Sequence, residues 1–533
     1  MLPEPLRGYS SYREWLEAEE EFKGRVVFAR LLPKAPPRPA PYEGAFAGVL
    51  RALGLTPYLH QQRALKRVEA GANVVLAYPT AAGKSLVYQA PVLQAALEGA
   101  TSLLLFPTKA LAHDQLRRLR AMAQVLGVEG VFPYDGDTPS ATRRQARERG
   151  LVLLSNPDML HYGLLPRHPD WAPFLARLRY VVLDELHAYR GVFGTHVALI
   201  LRRLLRLARH YGASPQVLAA SATIANAREH AEALTGLPFE ELKAQVARTE
   251  RELLVLLPKP LDRRGERRRS PLLEAAYLAR RLAEAGLKGL VFAGARKSAE
   301  LIARYAAHPL VRPYRAGYTA RERRRLEADL KEGRVRVLVS TSALELGVDI
   351  GELDAVVLVG YPGSTAAFWQ RAGRAGRGER RALLVYIPRE DPMDEYFLHR
   401  PALLLESPPE EAVADPQNPV LCPLHLHAAA REKPLLAEEL LCPEARATLK
   451  ERNGRFFTPK RNPHREITLR GLGATFTLRG PDGEVLGYLD ERQAYWEAHP
   501  GAIYLHQGES YLVRNVDLAR REVWLLPALE DYY

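Results

Sequence analysis

Residues 72–97 read ANVVLAYPTAAGKSLVYQAPVLQAAL and combine the signals that decide the fold. The apolar run at the start predicts a buried strand, and the segment after Gly83 predicts a helix. Between them lies a turn ending in Gly-Lys-Ser, at the expected helix N-terminus, where backbone N–H groups can converge on phosphate. Because the usual loop has a glycine at the position of Tyr78, this stretch alone leaves a chance turn as an alternative.

The same strand-then-helix order recurs along most of the chain. From about residue 43 to residue 400, short apolar runs ending in small or polar residues alternate with amphipathic segments of helical length. This alternation predicts parallel sheets covered by helices on both faces. The arginine-rich stretch DRRGERRRSP (262–271) interrupts it and predicts a linker. We therefore expect an α/β fold with two tandem RecA-like parallel-sheet lobes.

The composition changes after residue 400. Short helical segments come first, and from residue 466 apolar and polar residues alternate around the hairpin signal PDG (481–483). This predicts a C-terminal helical, winged-helix-like module followed by a β-rich module. The expected domains are an N-terminal arm at 1–42, lobe one at 43–255, an interlobe linker at 256–270, lobe two at 271–405, the winged-helix-like module at 406–465 and the β-rich module at 466–533.

Bulk properties restrict the class of protein. The chain has 75 Lys and Arg against 62 Asp and Glu, a formal charge of +13 that favours a polyanionic partner but can also be spread evenly over the surface. No stretch approaches the ~18 apolar residues of a membrane span, so we expect a cytoplasmic protein without a membrane partner. Cys422 and Cys442 are too few for a disulfide framework or a four-cysteine zinc module, and we interpret them as buried small apolar residues.

Candidate ligands for a nucleotide follow predicted strands. Lys84 would reach phosphate oxygens, and Ser85 would hold Mg²⁺. Asp184 and Glu185 end the apolar run YVVLDE, where one carboxylate can face Mg²⁺ and the other can orient an attacking water. Taken alone, such an acidic pair is more often an ordinary strand end.

The second predicted lobe contains a basic run, QRAGRAGR (370–377), with Gln370, Arg374 and Arg377 near one helix start. A solvated basic turn explains such a run in isolation. Guanidinium groups supplied to a bound nucleotide would instead meet the charge that develops on the γ-phosphate.

The order of eight segments along the chain decides between these alternatives. The segments, with the motif that each resembles, are AYPTAAGKS (77–85, motif I), FPTKALAHDQ (106–115, Ia), SNPDML (155–160, Ic), DELH (184–187, II), SAT (221–223, III), VFAGARKSAE (291–300, IV), STSALELGVDIG (340–351, V) and QRAGRAGR (370–377, VI). Together they resemble a superfamily 2 helicase of the DEAD/DEAH type. In that superfamily the phosphate loop has an alanine-containing form, so Tyr78 fits the pattern.

Segments outside these motifs narrow the resemblance. PYLHQQ (57–62), YDGDT (134–138), NPVLCPLHLHAAAREKPL (418–435) and HPGAIYLHQGESYLV (499–513) are similar to the bacterial MrfA (YprA) mitomycin-repair DNA helicases and their fungal Hrq-type relatives. The resemblance implies an ATP-dependent DNA helicase or translocase that moves 3′-to-5′ in DNA repair. It implies ATP and Mg²⁺ as cofactors and DNA, with a single-stranded tail and duplex junction, as partner. We expect a monomer associated with the nucleoid.

The resemblance also assigns roles to individual residues. It implies that Gln61 reads the adenine, that Thr80 and Gly83 shape the phosphate loop, and that Ser221 and Thr223 couple hydrolysis to DNA. Asp184 would hold Mg²⁺ and Glu185 would act as the catalytic base. In lobe two, Gly347 and Asp349 would approach the ribose, and Gln370, Arg374 and Arg377 would complete the site.

A translocase must hold a strand backbone without reading bases, through hydroxyls, amides and cations. The candidates for these DNA contacts are Thr108, Lys109, Asp137, Thr138, Asn156, Arg296, Lys297, Thr341 and Ser342, with Phe193 and His196 as weaker ones. Each of them has a solvated loop position, a helix N-cap or ordinary packing as its alternative.

Two other functions stay open at this point. The motifs do not separate DNA from RNA, so an RNA helicase is one alternative. The other is a nucleic-acid-binding scaffold whose lobes no longer hydrolyse ATP, although the intact Lys84, Glu185 and paired arginines argue against it.

Overall fold

The computed structural model describes residues 1–222, 224–265, 267–345, 350–376, 379–469, 475–507 and 509–528. Its strands, numbered in chain order, are β1 (Val26–Leu32), β2 (Val74–Ala77), β3 (Thr101–Leu105), β4 (Val131–Tyr134), β5 (Val152–Ser155), β6 (Leu178–Leu183), β7 (Gln216–Ser221), β8 (Glu240–Lys243), β9 (Arg251–Leu256), β10 (Gly289–Phe292), β11 (Val311–Tyr314), β12 (Val337–Ser340), β13 (Ala355–Val359), β14 (Ala382–Ile387), β15 (Leu435–Leu436), β16 (Lys450–Arg452), β17 (Arg455–Phe457), β18 (Thr475–Arg479), β19 (Val485–Asp490), β20 (Ile503–His506), β21 (Glu509–Asp517) and β22 (Glu522–Pro527).

The α-helices are numbered in the same way. They are α1 (Tyr12–Glu17), α2 (Ala47–Ala52), α3 (Leu59–Glu69), α4 (Lys84–Leu97), α5 (Lys109–Val125), α6 (Ser140–Arg149), α7 (Pro157–Met159), α8 (Ala172–Ala176), α9 (Gly191–His210), α10 (Ala227–Thr235), α11 (Pro271–Glu284), α12 (Arg296–Ala306), α13 (Ala320–Glu332), α14 (Thr365–Ala372), α15 (Pro392–His399), α16 (Leu403–Glu406), α17 (Leu421–Glu432) and α18 (Glu491–Glu497). None of the helices in the described ranges is both long and apolar enough to cross a membrane.

The chain divides into two compact units. The first unit consists of Pro37–Val246 and Pro409–Gly471, and the second consists of Met1–Pro36, Ala247–Pro408 and Leu472–Tyr533. The core of the first unit is a seven-stranded sheet in the order β4-β5-β3-β6-β7-β2-β8, with parallel pairing throughout. Strands β2, β3 and β5 are buried along their whole length, as expected for strands covered by helices on both faces. The predicted parallel-sheet lobe is confirmed here.

The second unit contains another seven-stranded sheet, in the order β1-β9-β14-β13-β10-β12-β11. All its pairs are parallel except β1 with β9. Strand β1 and helix α1 come from the predicted N-terminal arm, and Tyr12 and Trp15 are 0% and 1% exposed in the core of this unit. Residues 1–36 are therefore part of the second lobe rather than a separate arm.

The boundary between the lobes also differs from the predicted one. The sequence analysis ends lobe one at residue 255, whereas β9 lies between β1 and β14 in the second sheet. The predicted linker 256–270 is also held by the second unit, since Arg269 pairs with Glu274 at 2.8 Å and Arg268 pairs with Glu395 at 2.6 Å. The arginines resembled a solvated linker because two of the carboxylates that bind them, Glu21 and Glu395, are distant in the sequence.

Residues 409–471 differ from the predicted winged-helix-like module. Besides short 3₁₀ turns, the described residues form one α-helix, α17, and a three-stranded antiparallel sheet in the order β15-β17-β16. Asn453 and Gly454 both have positive φ, 49° and 71°, and form the tight turn between β16 and β17. Cys422 and Cys442 are buried as predicted, but they form a disulfide bond that composition could not reveal.

The predicted β-rich module is a five-stranded sheet in the order β19-β18-β22-β21-β20, with helix α18 between β19 and β20. The hairpin signal PDG joins β18 and β19 as predicted. Within the second unit this module packs on lobe two, where the buried guanidinium of Arg315 lies 3.1 Å from Glu300 and donates to the Tyr504 hydroxyl at 2.7 Å.

Candidate active site

The predicted nucleotide ligands of the first unit gather where three neighbouring strands end. Strands β6, β7 and β2 are adjacent in the sheet. They are followed by the pair Asp184 and Glu185, by Ala222 and by the loop that ends at Gly83. The carboxyl ends of parallel strands meet at one edge, which is where ligands bind in open α/β sheets. Ser221 is buried at the end of β7, and Thr223 lies outside the described residues.

The loop before α4 depends on Gly83. This residue has a φ of 78°, and a Cβ added to it would lie 2.4 Å from the side-chain nitrogen of Gln61. Gln61 is buried, its Nε2 donates to the carbonyl of Gly83 at 2.8 Å, and its Oε1 accepts from the N–H of Tyr58 at 2.7 Å. Thr80 is half-buried in the same loop. Gln61, which the resemblance assigns to the adenine, thus also fixes the shape of the phosphate loop.

Tyr78 has a structural role at the position where the usual loop has glycine. Its side chain is buried, and its hydroxyl donates to the carbonyl of His60 at 2.9 Å. Its own carbonyl accepts a hydrogen bond from Nζ of Lys84 at 3.1 Å. The tyrosine therefore ties the loop to α3, and the ammonium of Lys84 lies against the loop backbone.

Asp184 is buried, with two hydrogen-bond donors on its carboxylate. Oδ2 accepts from the hydroxyl of Tyr88 at 2.8 Å, and Oδ1 accepts from the backbone N–H of Glu185 at 2.8 Å. Burial, together with the neighbouring Glu185 carboxylate, raises the pKa of Asp184 to about 6. The hydroxyl of Tyr88 also interacts with the Ser85 side chain. Tyr88 thus connects the two predicted Mg²⁺ ligands. The sequence analysis missed this residue, although its position one helical turn after Lys84 and Ser85 places it on the same face of the predicted helix.

This set of oxygens fits a hard divalent cation. Burial keeps the Asp184 carboxyl group partly protonated near neutral pH. A bound cation would stabilise the ionised form of this group. Mg²⁺ usually keeps several waters and takes only one or two protein oxygens beside substrate phosphates. Ser85 and Asp184 are the residues that would hold Mg²⁺.

His187 links Glu185 to motif III. Its Nε2 lies 3.3 Å from Oε2 of Glu185, and its Nδ1 accepts from the backbone N–H of Ala222 at 2.9 Å. Because Nδ1 accepts, the neutral imidazole carries its proton on Nε2 and can donate it to Glu185. Burial, with the positive charges of Lys84 and Arg190, lowers the pKa of His187 to about 3, so the ring is neutral at physiological pH. The sequence analysis did not predict this contact.

The second unit holds the residues predicted to complete the nucleotide site. Gln370 is buried in α14, and Arg374 follows this helix. Nε and Nη2 of Arg374 donate to the carbonyl of Glu345 at 3.2 and 2.9 Å, so motif VI is attached to the middle of motif V. Three further predicted residues lie outside the described ranges, namely Gly347, Asp349 and Arg377.

The predicted DNA contacts of the first unit follow β3, β4 and β5, at the other end of the same sheet edge. Thr108 and Asn156 cap α5 and α7 with their side-chain oxygens, and Thr138 donates to Asp135 at 2.9 Å. Lys109 is half-exposed, and its Nζ lies 2.9 Å from Asp137. The structure thus brings these residues to one edge, while the capping roles allowed for Thr108 and Asn156 are also present.

The predicted DNA contacts of the second unit also share an edge. Arg296 and Lys297 begin α12 after β10, and Thr341 and Ser342 follow β12, which is paired with β10. The guanidinium of Arg296 donates to the side chain of Gln493 in α18. Lys297 is exposed.

The two weaker DNA candidates have packing roles. His196 is buried, and its Nδ1 lies 2.9 Å from Nε2 of His425. Phe193 is half-buried, with its ring centroid 5.9 Å from that of Tyr189. The packing alternative therefore explains His196 without a DNA contact.

Comparison with known proteins agrees with this geometry. Residues 58–231 match the family model of the DEAD/DEAH box helicases, and residues 273–379 match that of the helicase conserved C-terminal domain. The chain is 36% identical to a Bacillus subtilis protein described as the uncharacterized ATP-dependent helicase YprA, over 99% of this chain and 73% of that protein. It is 32% identical to the ATP-dependent helicase hrq1 of Schizosaccharomyces pombe, over 87% of this chain and 47% of that protein.

Solved structures give the same result. The crystal structure of the DUF1998 helicase MrfA bound to DNA superposes with a TM-score of 0.90 and 34% identity, over 98% of this chain and 74% of that one. The MrfA structure with DNA and AMPPNP gives a TM-score of 0.89 and 35% identity, over 96% and 77% of the two chains. The chain belongs to the MrfA (YprA) family of ATP-dependent helicases.

A segment of this MrfA-family helicase that the sequence analysis missed lies beside motifs II and III. Residues 409–418, PEEAVADPQN, form a strap across the ends of α9 and α10. The Asn226 side chain exchanges two hydrogen bonds with the backbone of Ala412, both at 2.9 Å. The N–H of Gly191 donates to Val413 at 2.7 Å. The strap has no apolar periodicity, so no sequence signal pointed to it.

The same family member contains a buried polar cluster that attaches residues 421–466 to the first lobe. Arg203, 3% exposed, pairs with the buried carboxylate of Glu432. Nη1 of Arg203 lies 2.9 Å from Nδ1 of His161 and 3.1 Å from Nδ1 of His425. His464 donates from Nε2 to Glu432 at 2.9 Å. The cluster is referred to below as the Arg203 cluster.

Proposed function

We propose that this protein is a DNA helicase that moves along one strand in the 3′-to-5′ direction, hydrolyses ATP to ADP and phosphate, and acts in DNA repair. The observation that carries the proposal is the division of one sheet edge in the first unit. The predicted ATP residues follow β6, β7 and β2, and the predicted DNA residues follow β4, β5 and β3. Structures of the relative MrfA bound to DNA and to DNA with AMPPNP support DNA and ATP as the ligands of this protein.

In this proposal, first-unit residues perform the hydrolysis. Lys84 binds the phosphates, and Glu185, held by His187, orients the attacking water and accepts its proton. Ser85 and Asp184 would hold Mg²⁺, which would neutralise negative charge on the phosphate oxygens. Gln61 keeps one Nε2 hydrogen for the adenine while the other holds the loop.

The remaining assignments follow the family resemblance. Gly347 and Asp349 contact the ribose, Gln370, Arg374 and Arg377 meet the phosphates, and Ser221 and Thr223 connect hydrolysis to DNA. The strand backbone is held by Thr108, Lys109, Thr138, Asn156, Arg296, Lys297, Thr341 and Ser342. These contacts recognise phosphate and sugar rather than sequence, so binding weakens steeply with added salt.

ATP turnover with and without single-stranded DNA tests the catalytic assignment. We expect DNA to stimulate the wild-type protein and Glu185→Gln to lower turnover at least about 100-fold, because the base is lost while the fold and nucleotide contacts stay. Glu129→Gln, at an exposed position of the same unit, is the matched control and should retain wild-type turnover. Full turnover in Glu185→Gln would show that another group acts as the base.

Strand displacement on tailed duplexes tests the substrate and the direction. We expect unwinding of a duplex with a 3′ single-stranded DNA tail and none with a 5′ tail. Stimulation by RNA alone, at equal length, would replace the DNA proposal with an RNA helicase. If neither DNA nor RNA leads to phosphate release from ATP, the protein is better explained as a nucleic-acid-binding scaffold. The expected monomeric state is tested separately, by sedimentation of the protein without DNA.

A further inference from the structure

Helix α18 presents two adjacent aromatic side chains to solvent. Trp496 is 84% exposed and Tyr495 is 55% exposed. The other side of the helix is buried against the core of the β-rich module through Ala494 and, just after the helix, Ala498, which are 1% and 0% exposed. Tyr495 packs edge-on against the buried ring of Phe476 and its hydroxyl donates to Glu491 at 3.3 Å. Tryptophan is highly buried on average, so the exposure of Trp496 beside it indicates an interaction surface.

Side-chain contacts place this surface beside predicted DNA contacts. Gln493 in α18 accepts a hydrogen bond from Nη1 of Arg296, and Lys297 next to it is exposed. Trp496 is three residues after Gln493, so the two are neighbours on the helix surface, with Cβ atoms about 5–6 Å apart. The indole therefore lies within one helical turn of the residue that holds the Arg296 guanidinium.

Backbone contacts fix the same arrangement. In β19, the strand before α18, the N–H of Tyr488 donates to the carbonyl of Gly317 at 2.8 Å. A Cβ added to Gly317 would lie 2.7 Å from the carbonyl oxygen of Tyr488 and 3.9 Å from Nη1 of Arg296. The β-rich module is thus attached to lobe two next to Arg296 by main-chain as well as side-chain contacts.

We propose that Trp496, assisted by Tyr495, stacks on bases of single-stranded DNA whose phosphates are held by Arg296 and Lys297; this rests on the proposed DNA helicase function. Every base has an aromatic face, so stacking suits a translocase that does not read sequence. A single strand is the occupant because its bases are free to stack, whereas those of a duplex already stack on one another. The carboxylates of Glu491 and Glu497 repel phosphate, which directs the bases toward α18 and the backbone toward Arg296.

The test compares variants of the full chain by anisotropy of a labelled single-stranded oligonucleotide at several salt concentrations. Trp496→Ala should weaken binding about 5- to 100-fold, the range for one stacked base, without changing the salt dependence. Arg296→Ala should weaken binding and also reduce the slope of log affinity against log salt by about one. Trp496→Phe should restore most of the affinity, because it keeps an aromatic face. Tyr305→Ala removes an exposed tyrosine nine residues after Arg296 on α12 and should bind as the wild type does.

The outcomes separate this proposal from the one on which it depends. Wild-type affinity in Trp496→Ala, when DNA binds and stimulates the wild-type protein, overturns the stacking surface and leaves the helicase proposal standing. A weaker salt dependence in Trp496→Ala, or no recovery in Trp496→Phe, also overturns it, because stacking predicts neither. A wild-type protein that neither binds nor responds to DNA overturns both.

Discussion

Asp184 and Glu185 are adjacent in sequence, yet their carboxylates have different surroundings. Glu185 has a φ of 52°, a left-handed conformation that is strained for a residue with a side chain. The Asp184 carboxylate accepts from Tyr88, while that of Glu185 lies beside His187. The two carboxylates therefore have different partners, Tyr88 and His187, which agrees with the separate metal and water roles that we propose for them. Different environments for paired carboxylates are how such sites assign different roles to them.

Replacing Tyr88 with Phe tests the environment of Asp184. The Tyr88 hydroxyl donates to the Asp184 carboxylate and favours its ionised form, so its loss should raise the pKa of Asp184 further above about 6. Protonated Asp184 cannot hold Mg²⁺, and lowering the pH protonates it. We therefore expect Tyr88→Phe to need about 3- to 10-fold more Mg²⁺ for half-maximal ATP turnover at pH 6.5, with the difference closing by pH 8.5.

Titrations of ATP turnover with Mg²⁺ at pH 6.5, 7.5 and 8.5 provide the measurement. Tyr42→Phe is the matched control, since Tyr42 also donates to a carboxylate of the first unit, Glu69, away from this site. A Mg²⁺ requirement that is raised equally at all three pH values would mean that Tyr88 acts through packing and not through the ionisation of Asp184.

At the level of elements, the sequence predicted the strands, helices and loops that have a local residue pattern. It missed the contacts between residues that are distant in the sequence. The loop at Gly83 and the strand that precedes Asp184 follow from apolar runs, glycine and charge, and the structure has them at the predicted sheet edge. The contact from His187 to Ala222 depends on which strands are neighbours, and no local pattern states that. Part of the region predicted to hold short helical segments is instead a hairpin, in which β16 ends at Arg452 and the turn begins at Asn453.

The strap at 409–418 provides a prediction at this scale. Asn226→Ala removes both hydrogen bonds to the backbone of Ala412, each worth about 1 kcal/mol, so we expect a loss of about 1–2 kcal/mol in stability. We also expect faster amide hydrogen exchange at Ala412 and Val413, measured by mass spectrometry, because the strap opens locally more often.

Asn73→Ala is the control for the strap. Asn73 also makes two side-chain hydrogen bonds to backbone in the first unit, with Pro238 and Val217. This variant should lose similar stability while exchange at residues 409–418 stays as in the wild type. Equal exchange of the strap in both variants would show that Asn226 does not hold it in place.

At the scale of the whole molecule, the contacts of the Arg203 cluster explain why residues 421–466 fold with the first lobe. Arginine can only donate, so Nδ1 of His161 and of His425 must accept, and both rings are neutral with the proton on Nε2. Burial, with the charge of Arg203, lowers the pKa of His161 to about 3 and that of His425 well below its usual range. One buried cation thus holds two imidazoles and a carboxylate from different parts of the chain.

This arrangement predicts that the protein loses stability in mild acid. In the unfolded chain both histidines take up protons below about pH 6.5. In the folded protein the pKa of His161 is about 3 and that of His425 lies well below its usual range, so the stability of the folded state is unaffected by these two groups above pH 6.5 and is lost as the pH falls below it. Each such histidine changes the free energy of unfolding by up to about 1.4 kcal/mol per pH unit within this window.

His161→Asn should therefore be less stable than the wild type at pH 7.5. The difference in stability should narrow toward pH 5, because the variant takes up one fewer proton on unfolding. Urea unfolding followed by circular dichroism at pH 7.5, 6.5 and 5.5 measures the difference, and His499→Asn, an exposed histidine of the second unit, controls for the substitution itself. A difference that stays constant or widens in acid would show that the ring of His161 is already protonated in the folded protein, and the assignment of a neutral cluster around Arg203 would be wrong.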